Sequence, residues 1–302
     1  MLPVIEGCLA AVVEGLSPAE LSATVADLVA LDATTDVNPE LHGVLADTAV
    51  PARLRAAVLR DLLQGKLSAP AIRLASYVVT ASHAQDVSSS LHDLTVLAGD
   101  LARDGELPVE ILSLTESRAR VRGYADAHYE SASPADLERA EDELFQIARV
   151  VEASRELRTV LVDRDVPAKA RAATLRDVFN GKVSALTLNV AAYAVIGGRP
   201  RDIVGTLDSL VDHAAETRRW RAARVWSARD LSTAERDEIR RSLASVAGEQ
   251  VDMHVTVQPD LLAGVIVEVG DLRLDATASG RLRSLHDALS SGRGTNSLST
   301  NE

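Results

Sequence analysis

From residue 167 to 179, apolar residues fall at Ala170, Ala173, Leu175 and Val178, read as the apolar stripe of a helix with one face turned to a core. Pro167 opens that helix, and Gly181 stands where a helix stops on a left-handed residue. Upstream, Ser133-Pro134-Ala135-Asp136 sets an N-cap serine, a first-turn proline and an acid that meets the positive end of the helix dipole. Ser184 caps a further helix, and residues 117–130 and 200–220 complete the helical set, with a single helical run expected from about 107 to 130. After residue 222 the period drops to two. Ala223–Ser227 alternates as a strand, Ser232 caps a helix reaching about 247, and Val251, Met253, Val255 and Val257 line one face of a second strand. Val265–Val269 is a short β-branched run, Leu272–Leu274 follows the Gly270-Asp271 turn, and Thr277 starts a helix carrying Leu282, Leu285 and Leu289.

The helical part is written twice. At an offset of 116, Ser17-Pro18-Ala19 recurs as Ser133-Pro134-Ala135, and VPARLRAAVLRDLLQGKLSA (50–69) recurs as VPAKARAATLRDVFNGKVSA (166–185). Residues 17–79 share 26 identities over 63 positions without a gap, with Pro18, Pro51 and Gly65 in step with Pro134, Pro167 and Gly181. Glu20, Pro51, Gly65 and Ser68 therefore take the roles of Asp136, Pro167, Gly181 and Ser184. The unit is about 100 residues and occurs twice, which is a duplicated domain rather than a solenoid. The expected fold is mainly α with a small α+β C-terminal module: two six-helix-type bundles, then a short mixed sheet with helices. The expected divisions are copy one at 1–104, a helical connector at 105–116, copy two at 117–221, the α+β module at 222–289 and a polar, disordered tail at 290–302.

Composition narrows the chemistry. Of 302 residues only 3% are aromatic, so the core is built from Ala, Leu and Val, as suits close-packed helices. A net charge of −12 argues against sequence-independent nucleic-acid binding. The single cysteine, Cys8, rules out an internal disulfide and multi-thiolate zinc sites and fits a reducing, cytosolic setting. Residues 186–198 and 261–267 are too short to span a bilayer, and the N-terminus, with Glu6 and Glu14 and no basic start, reads as an amphipathic helix rather than a secretory signal. Membrane association is expected only through a partner.

Catalytic patterns are missing. The seven histidines, His42, His83, His92, His128, His213, His254 and His286, show no metal-ligand spacing. Gly65-Lys66-Leu67-Ser68 and Gly181-Lys182-Val183-Ser184 have the end of a phosphate loop but neither its earlier glycine nor its strand, and helix stop followed by helix cap explains both. Asp271 and Asp275 read as turn and cap acids. Arg218, Arg219, Arg221 and Arg224, interleaved with Trp220 and Trp226, read as a basic helix end. No cofactor and no metal is expected.

The run Pro259-Asp260-Leu261-Leu262-Ala263-Gly264-Val265-Ile266-Val267-Glu268-Val269-Gly270-Asp271, followed by Leu274-Asp275-Ala276-Thr277 and Gly280-Arg281-Leu282 with Leu285, resembles the C-terminal signature of the delta subunit of F-type ATP synthase, the oligomycin sensitivity conferral protein family. Ala263 stands where that family usually has its first glycine, and Thr277 where it has serine. The departure at Ala263 matters only if φ there must be positive. Upstream, Tyr124-Ala125, Gly198-Arg199 and Leu231-Ser232 are similar to further family features, so residues 118–289 cover a whole member. Copy one has Cys8-Leu9 and Ser82-His83 at the matching positions and is a diverged duplicate, similar to actinobacterial forms in which delta is fused behind a stalk subunit. No stalk helix is present here, which implies a split fusion or a reading frame that starts before Met1.

The resemblance implies a non-catalytic stator component that joins the top of the catalytic head to the peripheral stalk, on the cytoplasmic face of the bacterial membrane. It implies as partners the alpha subunits, with beta a further candidate, and b-type stalk subunits. The bundle would receive amphipathic alpha N-terminal helices in an apolar groove. Copy two would offer Tyr124, Ala125 and His128 on its first helix and Leu188, Ala191 and Ala192 on its fifth. The C-terminal module, whose family signature is Ala263, Gly264, Gly270, Asp271, Asp275, Thr277, Leu282 and Leu285, would hold the end of the stalk. The rival reading is a free-standing helical adaptor for unrelated amphipathic helices; an enzyme has no supporting constellation.

Overall fold

A computed structural model describes residues 2–105, 112–247, 252–259, 261, 263–269 and 272–275. Two compact units divide the chain, Met1–Thr217 and Arg218–Glu302.

Copy one comprises α1 (Leu2–Val13), α2 (Pro18–Val37), α3 (Pro39–Ala46), α4 (Ala52–Leu63), α5 (Ala69–Ala81) and α6 (Val87–Asp104). Copy two comprises α7 (Leu114–Tyr129), α8 (Pro134–Ala153), α9 (Arg155–Val162), α10 (Ala168–Phe179), α11 (Ala185–Gly197) and α12 (Ile203–Arg221). From the second helix of each copy to the sixth, the starts differ by the offset of the repeat, and a short 3-10 turn precedes the sixth helix in both. The cause is local. Ser17 and Ser133 each close a reciprocal capping box, with Glu20 and Asp136, satisfying N–H groups that the first turn leaves unpaired. Hydrogen bonds from each serine hold both carboxyls below the usual carboxylate range. Gly65 and Gly181 sit at φ +74° and +70° after α4 and α10, a conformation that a side chain resists.

The same non-local contacts recur in both copies. Arg171 is buried because its guanidinium donates to the carbonyls of Val166 (3.2 Å) and Leu161 (2.8 Å); Arg55 does the same with Val50 and Leu45. The Ser184 amide donates to the Glu143 carboxylate at 2.9 Å, and the Ser68 amide to Asp27 at 2.7 Å. Each copy has its own core, Leu137, Leu144, Ile147, Leu175 and Leu207 at the heart of copy two, Leu28, Leu59, Leu74, Leu91 and Leu94 at that of copy one.

Two expectations change. On α10 the buried face is Arg171, Ala172, Leu175 and Phe179, with Val178 half-buried; Ala170 and Ala173 are exposed. Alanine is too small to fix a stripe, and the paired Arg171 takes the inward place. Of the helical run expected from about 107 to 130, residues 112–113 are not helical and helix starts at Leu114. Gly105 ends α6 at φ +73°, and Ser113 opens α7 with a capping box to Glu116. The connector between them, 106–111, and the tail, 290–302, lie outside the described residues.

In the C-terminal unit, β1 (Ala222–Ser227), β2 (Asp252–Val257), β3 (Val265–Val269) and β4 (Leu272–Asp275) form one mixed sheet in the order β2-β1-β3-β4. The β1–β2 pair is parallel, bridged in sequence by α13 (Thr233–Ala247), and the pairs β1–β3 and β3–β4 are antiparallel. Its core is Ala223, Val225, Leu243 and Val267, with Ile239, Met253, Val255 and Val265 packed around them. Met253 and Val255 alternate onto that core as read from the sequence, whereas Val257 at the strand end is exposed. Ser232 and Glu235 form the cap of α13, and Arg229 chelates the same carboxylate at 2.6 and 3.2 Å. That pairing and the cap hold Glu235 at a pKa of about 2.

Candidate functional site

The first helices of the two copies, α1 and α7, lie against each other, and glycine makes this possible. A Cβ built on Gly7 would stand 1.8 Å from the main-chain oxygen of Arg120, and one built on Gly123 would stand 1.9 Å from that of Val4. Val4 and Gly7 are the repeat equivalents of Arg120 and Gly123, so the contact is reciprocal: each glycine receives the carbonyl found three residues before the other. Backbone-to-backbone approach of this kind admits no side chain.

Polar groups fix the crossing. The Arg120 guanidinium pairs with the Glu6 carboxylate at 2.8 Å, with side chains only 15% and 2% exposed. An ion pair so buried is held because parting it would strand a charge away from water. The Tyr124 hydroxyl donates to Glu14, just past the end of α1, and burial pushes its phenol well above the ordinary range. Its ring stacks on Tyr193 of α11 with centroids 3.8 Å apart. Burial lowers the His128 pKa, helped by the Arg73 guanidinium and opposed by the Glu14 carboxylate. On the other side of α7, Asp126 accepts from the Tyr77 hydroxyl of α5 at 2.6 Å, and its second oxygen lies 2.6 Å from His213 Nε2 of α12. Arg73 of α5 pairs with Glu130 and donates to the Ala127 carbonyl. Alanines complete the exchange: Ala127 belongs to the core of copy one, and Ala10 and Ala11 pack on the core of copy two.

Of the six residues expected to receive a partner helix, the structure brings Tyr124, Ala125, Ala191 and Ala192 together inside copy two, each no more than 1% exposed. Leu188 is half-buried against the same core, and the His128 side chain is 24% exposed beside Glu14. They do not line an open groove. Gly7 of α1 and Glu14 just beyond it cover Tyr124, so a helix of the same chain occupies the place expected for a guest.

In the C-terminal signature, Ala263 does not adopt positive φ; Gly264 does, at +94°. The alanine therefore carries no strain, and the glycine that the turn requires is present. Asp275 closes the β3–β4 ladder opposite Ile266. Gly270, Asp271, Thr277, Leu282 and Leu285 lie outside the described residues. Among the described residues no cluster of His, Cys, Asp and Glu could hold a metal ion, and no helix is long and apolar enough to cross a membrane.

Sequence reasoning missed Gly7, Gly123, the Glu6–Arg120 pair and Asp126. A signal for the glycines exists: carried upstream, the repeat pairs Gly7 with Gly123, Ala11 with Ala127 and Glu14 with Glu130. Nothing in the sequence announces Asp126, because its partners come from α5 and α12, far along the chain.

A family profile described as ATP synthase delta (OSCP) subunit matches residues 121–289, which is copy two from α7 onward together with the C-terminal unit. The chain is 31% identical to an ATP synthase subunit delta of Nocardia farcinica over 268 residues, covering 88% of this chain and 89% of the relative. It is 30% identical to one of Salinispora arenicola over 281 residues, 93% of each. A third, of Streptomyces griseus, is 30% identical over 256 residues, 85% of each. Matches of that extent take in copy one as well as copy two. The profile match over more than half of the chain and these relatives agree: the chain belongs to the ATP synthase delta (OSCP) subunit family.

Proposed function

We propose that this chain is a non-catalytic stator component. Its helical unit holds the catalytic head through alpha, with beta as a neighbouring contact. Its C-terminal module holds a b-type peripheral stalk. The membrane is reached only through the complex, at its cytoplasmic face. The observation that carries this reading is the continuity of the family match through copy two and the sheet, the two parts between which such a joint would be divided.

A magnitude sets what the joint must withstand. One charge crossing about 100 mV releases about 2.3 kcal/mol. A rotary step driven by several protons loads the stator with energy on the order of 10 kcal/mol. A nanomolar contact is worth about 12 kcal/mol, so the grip must be of that order or shared among several contacts.

The test is reconstitution. The starting material is bacterial membranes stripped of their delta subunit, with ATP hydrolysis and ATP-driven proton pumping measured side by side. Adding this chain is expected to restore ATP-driven pumping and to co-sediment with both the head and b-type stalk subunits. Undiminished hydrolysis with no return of pumping refutes the reading, and recovery of partners other than ATP synthase subunits turns it toward a free-standing adaptor.

A further inference from the structure

The duplication has placed one copy's first helix on the other's, and α1 has two duties at once. Ile5, Cys8, Leu9 and Val12 sit in the core of copy one, none more than 8% exposed. From the same helix Gly7 and Glu6, with Glu14 just past its end, engage α7, and Ala10 and Ala11 pack on the core of copy two. A helix that leaves α7 must therefore take its other face out of copy one or carry the whole of copy one with it. It is not a hinged latch. The reciprocal glycines seat main chain on main chain, and no longer side chain can take α1's place without moving the helices apart.

We propose that copy one binds copy two, and that α1 is the resident occupant of the face formed by α7 and α11, closing it to helices from other subunits. A helix from the catalytic head then meets this chain on another surface and leaves α1 and α7 where they are. Tyr124 is a staple between the copies rather than a contact for the head. Only the statement about the head rests on the stator reading above.

Hydrogen–deuterium exchange on the full-length chain tests it, alone and bound to catalytic head stripped of its own delta subunit. In the chain alone, amides in residues 2–13 and 118–128 are expected to exchange at least about 10³-fold more slowly than in an unstructured chain, at the level of the cores. On the head, that protection stays unchanged, and new protection falls elsewhere. Two results overturn the proposal: exchange in residues 2–13 of the chain alone within about tenfold of the unstructured rate, or a head-induced loss of protection in residues 2–13. Absence of any binding to the head refutes the stator reading instead, and the closed face is then decided by the chain measured alone.

Discussion

Replacing glycine by alanine inside a helix normally stabilises, by about 0.8–1 kcal/mol of helix propensity. Gly99 in α6 and Gly43 in α3 meet that condition, since nothing stands within 4 Å of a built Cβ. At Gly7 and Gly123 the sign should reverse. The atom met at 1.8 or 1.9 Å is a main-chain carbonyl oxygen inside a helix, which cannot swing aside as a side chain could. Because non-bonded heavy atoms settle near 3.5 Å, the helices must part by more than about 1 Å along the crossing, forfeiting a quarter to a half of the dispersion energy at each loosened contact. Overpacking of this kind costs about 1–3 kcal/mol beyond what propensity returns. For a unit of this size, each kcal/mol moves the midpoint by about 2–4 °C. Thermal unfolding followed by far-ultraviolet circular dichroism should therefore show Gly7→Ala and Gly123→Ala below the parent by about 2–12 °C, with Gly99→Ala above it. The double variant should lie close to the worse single, because one separation relieves both clashes. If either Gly7→Ala or Gly123→Ala melts at or above the parent alongside Gly99→Ala, the argument for a backbone-to-backbone crossing is wrong.

Other consequences can be checked in the same way. Asp126→Ala leaves the Tyr77 hydroxyl and His213 Nε2 without their acceptor and should destabilise the helical unit by about 2–4 kcal/mol, with Tyr77→Phe milder; urea titration measures both. Arg171→Leu and Arg55→Leu each strip two main-chain carbonyls of their donor and should cost about 1–3 kcal/mol alike; a loss in one copy only would contradict their equivalence. The Glu235 pKa is depressed, so its contribution to stability is present above the ordinary value of 4.5 and is lost as pH falls from there through about 2. Glu235→Gln should flatten the acid dependence of the C-terminal unit across that window, as read from amide shifts of α13. Cys8 is buried, and burial pushes its thiol pKa up. Iodoacetamide should label it in the native chain at less than about 1% of the rate in the unfolded chain, as mass spectrometry would show.

Much of the architecture was legible along the chain because its causes are local. Ser133 and Asp136 cap α8 within four residues of each other, Gly181 stops α10 by its own φ, and the alternation of Met253 and Val255 places β2 on its core without help from elsewhere. Self-similarity at a fixed offset then carried each reading from one copy to the other, down to paired hydrogen bonds such as those of Arg55 and Arg171. The same self-similarity was silent about Ala170 and Ala173, whose single methyl groups satisfy a core-facing pattern while lying at the surface.

What faces what was another matter. Tyr124, Ala125, Ala191 and Ala192 are small or amphipathic residues of the kind that let a helix come close, and the chain itself does not say whether that helix is a guest or its own. Sequence alone determined the elements, their caps, their duplication and the family signature, since each is written in residues a few places apart or in a repeated string. Only the tertiary structure decided that α1 of one copy closes on α7 of the other. That choice depends on a carbonyl meeting a missing side chain more than 100 residues away, and a contact between a backbone atom and an absent Cβ leaves no hydrophobic period to read.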